Sequence, residues 1–222
     1  MSKNNKNTKN KDSINLNVNN IDDPNSEILI IKILIVGDPG VGKSNFIYRY
    51  TKDKFSANKL STVGFESNIK EIEITEKKVI VQLWDSAGQE KYKSITKNLI
   101  SRVQGIIILY DITNKKSFTN IQNWIKLIKE TNDSIPYVLA GNKCDLTNQR
   151  AVEEEEAIKF SQENNIHFME TSAKQDINII DCVNSFVQKI ITSENFIRNI
   201  SFALNDSSEI QRKSLNKSEK CC

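Results

Sequence analysis

Histidine is all but missing from this chain of 222 residues, with His167 as the sole copy. Metal centres and proton relays that lean on several imidazoles are thereby excluded. The four cysteines fall at 144, 182, 221 and 222, with no metal-ligand spacing and no framework of pairs, so zinc sites and disulfide scaffolds are excluded too. No apolar run approaches the roughly 18 residues of a membrane span, and the N-terminus lacks the apolar stretch of a signal peptide. The chain is expected to be made and kept in the cytosol. Charge of one sign is also scarce: the net is +3, and Lys3, Lys6, Lys9 and Lys11 against Asp12 already account for it. A basic excess confined to one end gives no reason to expect a nucleic-acid partner. Glycine is low as well, seven copies where average usage gives about fifteen. Those that remain, at 37, 40, 42, 64, 88, 105 and 141, mark places where the backbone needs them.

Hydrophobic residues make up 38% of the chain, less than a globular domain of this length usually carries, and the deficit lies at the two ends. Residues 1–27 are dominated by Asn, Lys, Ser and Asp and cannot bury enough surface to offset chain entropy, so they are expected to be a disordered extension. Residues 199–222 are polar up to two final cysteines and are expected to form a flexible tail. Between them, residues 28–198 alternate β-type runs with helical periods, the pattern of an α/β domain with a mainly parallel sheet. Strands are expected over Ile28–Val36, Ile69–Ile74, Val79–Trp84, Gly105–Tyr110, Tyr137–Ala140 and Ile166–Met169. The short link Thr75–Lys78 reads as a hairpin, which makes one edge strand antiparallel. Ile121, Trp124, Ile125 and Ile128, and likewise Ile180, Val183, Val187 and Ile190, recur at helical spacing and are expected to be core. Trp124 and Phe186 are read as packing residues.

Directly after the first strand stands GDPGVGKS, Gly37 to Ser44, followed by a helical stretch. This is G-x-x-x-x-G-K-[ST] in strand, loop, helix order. Gly37, Gly40, Val41 and Gly42 supply backbone that can wrap phosphates, aided by the helix N-terminus. Lys43 is expected to hold the terminal phosphates and the Ser44 hydroxyl a Mg2+ ion.

A phosphate loop does not choose between ATP and GTP. NKCD, Asn142 to Asp145, follows one buried strand, and ETSAK, Glu170 to Lys174, follows the next. The Asp145 carboxylate can only accept hydrogen bonds, and guanine offers two adjacent donors, N1–H and the 2-amino group, where adenine offers neither. Adenine would leave that carboxylate unpaired, a larger penalty than a missing contact. Guanine is the expected base, with Cys144 a spacer in its loop.

With these motifs in order, together with WDSAGQE at Trp84 to Glu90 and STVG at Ser61 to Gly64, residues 28–198 and the terminal cysteines resemble the Ras-like small GTPases, and within them the Rab family. The resemblance implies the P-loop NTPase fold of small GTPases: a six-stranded, mainly parallel sheet with one antiparallel edge strand, flanked by about five helices. It implies that Asp85 meets Mg2+ through water, that the Gly88 amide binds the γ-phosphate, and that Gln89 orients the attacking water. Thr62 would bind Mg2+ and the γ-phosphate only in the GTP state. Phe55, Asn142, Lys143, Asp145, Ser172, Ala173 and Lys174 would surround the guanine, Ala173 through its backbone N–H. The implied activity is hydrolysis of GTP to GDP by positioning and charge stabilisation, with release of both switch loops when the γ-phosphate leaves. Implied partners are Rab-type effectors, an exchange factor, a GTPase-activating protein, an escort protein and a dissociation inhibitor.

The terminal Cys221-Cys222 resembles the Rab double-cysteine tail, modified by two geranylgeranyl groups. Two lipids give stable anchoring where one is marginal. The expected location is the cytoplasmic face of an intracellular or plasma membrane, cycling with cytosol. The sequence departs from the family in two places. Pro39 stands where Rabs carry Ser or another small residue, and proline has no N–H. An effector-face trio that is usually aromatic reads Ser67, Trp84 and Leu99. Two functional readings stay open: a hydrolysing switch in vesicle traffic, and, because of Pro39, a slowly hydrolysing, largely GTP-bound membrane adaptor.

Overall fold

The computed structural model describes residues 28–57, 65–86, 93–194 and 196. The N-terminal extension, the tail from residue 197, Ser61 to Gly64 and Ala87 to Glu90 lie outside the described residues. In chain order the elements are β1 (Leu29–Val36), α1 (Lys43–Lys52), β2 (Phe65–Ile74), β3 (Lys77–Ser86), α2 (Lys93–Ile100), β4 (Gly105–Asp111), α3 (Lys115–Thr119), α4 (Ile121–Thr131), β5 (Tyr137–Asn142), α5 (Glu154–Glu163), β6 (His167–Thr171) and α6 (Ile179–Ile191). Short α3 meets α4 at Asn120, which ends one and begins the other, so the described helices form five helical units.

The six strands lie in the order β2-β3-β1-β4-β5-β6, with β2 and β3 antiparallel and every other pair parallel. That is the expected mixed sheet. The hairpin is tighter than the sequence pattern suggests: β2 ends at Ile74 and β3 starts at Lys77, and Thr75 and Glu76 turn the chain with φ of 48° and 63°. Two left-handed residues match the twist of the paired strands, here without glycine or asparagine.

Alternation along β1 sends its side chains to two cores. Ile31, Ile33 and Ile35 pack with Phe46, Ile47 and Tyr50 of α1 and with Val183, Phe186 and Val187 of α6. Leu34 and Val36 face the other way, onto Ile100 of α2, Trp124 and Ile128 of α4, and Ala157 of α5. The stripe expected on α4 is buried throughout. On α6 the expected stripe is displaced, because Ile180 is exposed while Ile179, Cys182, Val183, Phe186, Val187 and Ile190 are buried. At about 100° per residue, Ile180 sits on the rim of the arc that Ile179 and Cys182 extend in the other direction. Leu99 of α2 is packed into the second core, so of the three effector-face positions only Ser67 and Trp84, opposite each other across β2 and β3, keep side chains that reach solvent.

Five parallel strands that point one way bring their C-terminal ends to one edge, and at β1 the strand order reverses. Loops at such a switch point are where an α/β sheet binds ligands. No helix among the described residues is long and apolar enough to cross a membrane.

Candidate functional site

The loop from Gly37 to Gly42 leaves β1 at this edge and folds over the start of α1. Gly42 has φ of +100°, and a Cβ there would collide with the Asn142 amide. Gly37 has φ of +143° and lies against the Leu109 carbonyl, where a Cβ would again collide. Both positions therefore need glycine on steric grounds as well as conformational ones. Lys43 is buried, and its ammonium donates to the carbonyls of Gly37 and Asp38, each at 2.9 Å. Burial lowers its pKa to about 8, against the opposing pull of the Asp85 and Asp38 carboxylates. A desolvated ammonium held inside a loop of backbone amides can receive a charged phosphate at little reorganisation cost.

Next to it, the Ser44 hydroxyl donates to the carboxylate of Asp85, which is buried at the end of β3. A hydroxyl and a carboxylate brought together are hard oxygen donors of the kind magnesium takes, and the described residues contain no group of three or more His, Cys, Asp or Glu side chains that would form a cage by themselves. Magnesium is commonly held by one or two protein oxygens, substrate phosphates and water, so this donor set fits it.

On the other side of the loop, Asn142 is buried at the end of β5. Its Nδ2 donates to the Val41 carbonyl at 2.8 Å and its Oδ1 accepts from the Ala173 N–H at 3.3 Å. One side chain thus ties the phosphate loop to the ETSAK segment. Lys143, with φ of 67°, donates from Nζ to the Gly40 carbonyl at 2.9 Å and to Asp111 Oδ2 at 2.6 Å. Asp145 accepts from the Ser172 hydroxyl at 2.6 Å through Oδ1. A carboxylate fixed by one oxygen, beside a lysine and two aligned segments of backbone, can accept from a base that offers paired N–H groups.

The model of the Ras family matches residues 32–192 of this chain. The chain belongs to the Ras family. Among curated proteins, it is similar to Ras-related protein Rab-13 of Rattus norvegicus, at 38% identity over 193 residues, covering 86% of this chain and 95% of that protein. Rab-13 of Canis lupus familiaris is 43% identical over 163 residues, 73% of this chain and 80% of that protein. Rab-8B of Homo sapiens is 39% identical over 167 residues, 75% and 81% respectively. It is a GTP-binding small GTPase of the Rab branch, an enzyme that hydrolyses GTP.

For this Ras-family chain, the sites read from sequence divide into three sets. Gly37, Gly40, Val41, Gly42, Lys43, Ser44 and Asp85 gather with Asn142, Lys143, Asp145, Ser172 and Ala173 at one edge of the sheet. Lys174 is exposed, and its carbonyl accepts from Arg49 Nη2 at 3.3 Å. Phe55 is 38% exposed, beyond the end of α1. Thr62, Gly88, Gln89, Cys221 and Cys222 lie outside the described residues.

Several residues of the site escape the sequence reading. Arg49 on α1 donates from Nε to the Ala173 carbonyl at 2.9 Å and so binds the base-side segment to the phosphate-side helix. Arg150 and Glu170 form a two-pronged ion pair at 2.6 and 2.8 Å, and that hydrogen-bonded pair holds the guanidinium pKa above its usual value. Asp111 anchors Lys143 from the end of β4, and its one sequence signal is its place at the end of a buried run leaving the sheet at its ligand-binding edge. Arg49 and Arg150 carry no such signal, because their partners lie 124 and 20 positions away. Gly141 also has a local reason: a Cβ there would meet the Tyr110 hydroxyl at 2.7 Å.

Proposed function

We propose that this small GTPase is a Rab-type switch that controls vesicle traffic at a membrane through GTP-dependent effector binding, and that the residues gathered at the sheet edge hold its nucleotide. In this reading the amides of Gly40, Val41 and Gly42 and the Lys43 ammonium bind the β- and γ-phosphates. Ser44, Asp85 and, in the GTP state, Thr62 hold Mg2+, which when bound neutralises charge on those phosphates. Asp145 accepts both guanine donors, Lys143 covers the base plane, and Asn142 keeps the two ends at a fixed separation. Gly88 takes the γ-phosphate and Gln89 orients the water, so departure of the γ-phosphate frees both switch segments together.

The observation that carries this reading is the Asn142 tie, since one buried side chain spans the segments that would hold phosphate and base. Effectors, an exchange factor, a GTPase-activating protein, an escort protein and a dissociation inhibitor are the partners that resemblance to Rab proteins supplies. Anchoring would come from lipids on Cys221 and Cys222, with residues 199–220 as tether. Residues 28–198 would be the folded GTPase domain and residues 1–27 an appendage.

Single-turnover hydrolysis of preloaded GTP, with and without the Gln89→Leu change, tests the switch. The expected result is measurable hydrolysis that falls about tenfold or more in the variant. A rate indifferent to that change would instead favour the slowly hydrolysing adaptor that Pro39, exposed on the loop, brings into view.

A further inference from the structure

An acidic side chain is out of place in a loop built to receive anions, yet the second residue of this one is Asp38. Its carboxylate is held from outside the loop: Asp38 Oδ1 accepts from Asn120 Nδ2 at 2.5 Å and from Trp124 Nε1 at 3.0 Å. Both donors belong to the first turn of α4. Asn120 is the N-cap of that helix, a position where an asparagine ordinarily accepts from the helix's own amides. Here its side chain makes no cap hydrogen bond and is used on the loop instead. Its Oδ1 accepts in turn from Asn123 Nδ2 at 2.5 Å, so a chain of amides runs from exposed Asn123 to the loop. Trp124 does pack in the core as its spacing implies, but its one polar atom points at the loop.

We infer that Asp38 is a positioning residue of the nucleotide site, and that Asn120 and Trp124 form a clamp which keeps its negative charge away from the phosphates and thereby sets how long nucleotide stays bound. The inference rests on the reading of Gly37 to Ser44 as the phosphate loop. Two neutral donors stabilise the carboxylate by hydrogen bonding and fix its direction. The same residue supplies, through its backbone carbonyl, one of the two acceptors that orient Lys43. Releasing the clamp would therefore do two things at once: free a carboxylate to approach bound phosphate, and loosen the cradle of the lysine that binds it. Asparagine at position 38 loses the charge at nearly the same size, so adding it to a variant that lacks both donors separates electrostatic positioning from simple stapling.

The test is the dissociation rate of N-methylanthraniloyl-GDP from the full chain, chased with excess GDP, in wild type, Trp124→Phe, Asn120→Ala/Trp124→Phe and the triple variant that adds Asp38→Asn. Trp124→Phe removes the donor while leaving a smaller aromatic ring in the core, and it leaves Asn120 in place, so it stays informative if the double variant folds poorly. Dissociation is expected to rise about threefold in the single variant and about tenfold in the double. Adding Asp38→Asn is expected to bring the rate back to within about threefold of wild type. Unchanged dissociation in both clamp variants, or a rise that Asp38→Asn leaves undiminished, would overturn the inference. Failure of wild-type protein to retain the labelled GDP at all would count against the phosphate-site reading itself.

Discussion

The two ends of the candidate nucleotide site are built from different materials. At the phosphate end the chain works with backbone: Gly37, Gly40 and Gly42 all have positive φ, and the working surface is a set of amides around one buried lysine. At the base end the chain works with side chains: Asn142, Lys143, Asp145 and Ser172 sit at or just beyond the ends of β5 and β6 and are held by other side chains and by backbone groups. The lesson concerns tolerance. A surface made of amides fails where an added Cβ meets a packed neighbour, as at Gly37 and Gly42, whereas a surface made of side chains can change what it recognises while its scaffold stands.

The largest effect should come from breaking the phosphate end. In Gly42→Ala the added Cβ would be strained by a φ of +100° and would also meet the Asn142 amide, which cannot retreat without losing its 2.8 Å bond to Val41. Stability of the nucleotide-free protein is expected to fall by about 2–4 kcal/mol, with retention of GDP lost. Gly40→Ala is the internal control. Its φ of +79° is also unfavourable, but a Cβ there meets nothing within 4 Å, so about 1 kcal/mol is expected. Equal melting temperatures for the two variants would remove the steric half of the contrast.

A smaller and more selective effect is expected at the base end. In Asp145→Asn the scaffold stays, and an oxygen remains to accept from the Ser172 hydroxyl, as Asp145 Oδ1 does at 2.6 Å. What changes is that an N–H group can now face the donors of guanine. Affinity for GTP should fall about a hundredfold and the preference should move toward xanthosine triphosphate, whose base presents an acceptor at the 2-position. Competition binding with the two nucleotides reads this directly, and unaltered GTP affinity would refute the assignment.

The same difference in materials decides which parts of the site are legible in the sequence. The phosphate end is legible because a backbone surface demands glycine at fixed spacing beside Lys43 and Ser44, and because strand periodicity places that spacing between β1 and α1. NKCD is legible as chemistry, since the Asp145 carboxylate has the acceptor-only character that guanine needs, and ETSAK by its place after the next buried strand. Arg49, Arg150 and the Trp124 N–H are not, for they act across sequence gaps through hydrogen bonds whose partners are a backbone carbonyl or a distant carboxylate. Periodicity even misplaces Ile180, because an i, i+3 pattern cannot tell the centre of a buried arc from its rim.

The smallest expected effect bears on charge, and it separates the two ends in solution. At the base end Lys143 is paired with Asp111 at 2.6 Å, whereas Lys43 at the phosphate end donates to carbonyls and is buried, which lowers its pKa to about 8. An unfolded chain carries this lysine at about its ordinary value of 10.5. Between those two values the unfolded state binds more protons than the folded one, so stability of the nucleotide-free protein should increase as pH rises through that window. Below about 8 both states are protonated and the desolvation penalty is fully present; above about 10.5 both are neutral and it is gone. Bound phosphate reverses the preference, because its charge favours the ammonium. Binding of GDP at pH 8 should therefore draw in about half a proton, measured as the dependence of calorimetric binding enthalpy on the ionisation enthalpy of the buffer. No buffer dependence at pH 8 would mean that Lys43 is already fully charged in the empty loop, and the contrast between a desolvated phosphate end and a paired base end would then rest on geometry alone.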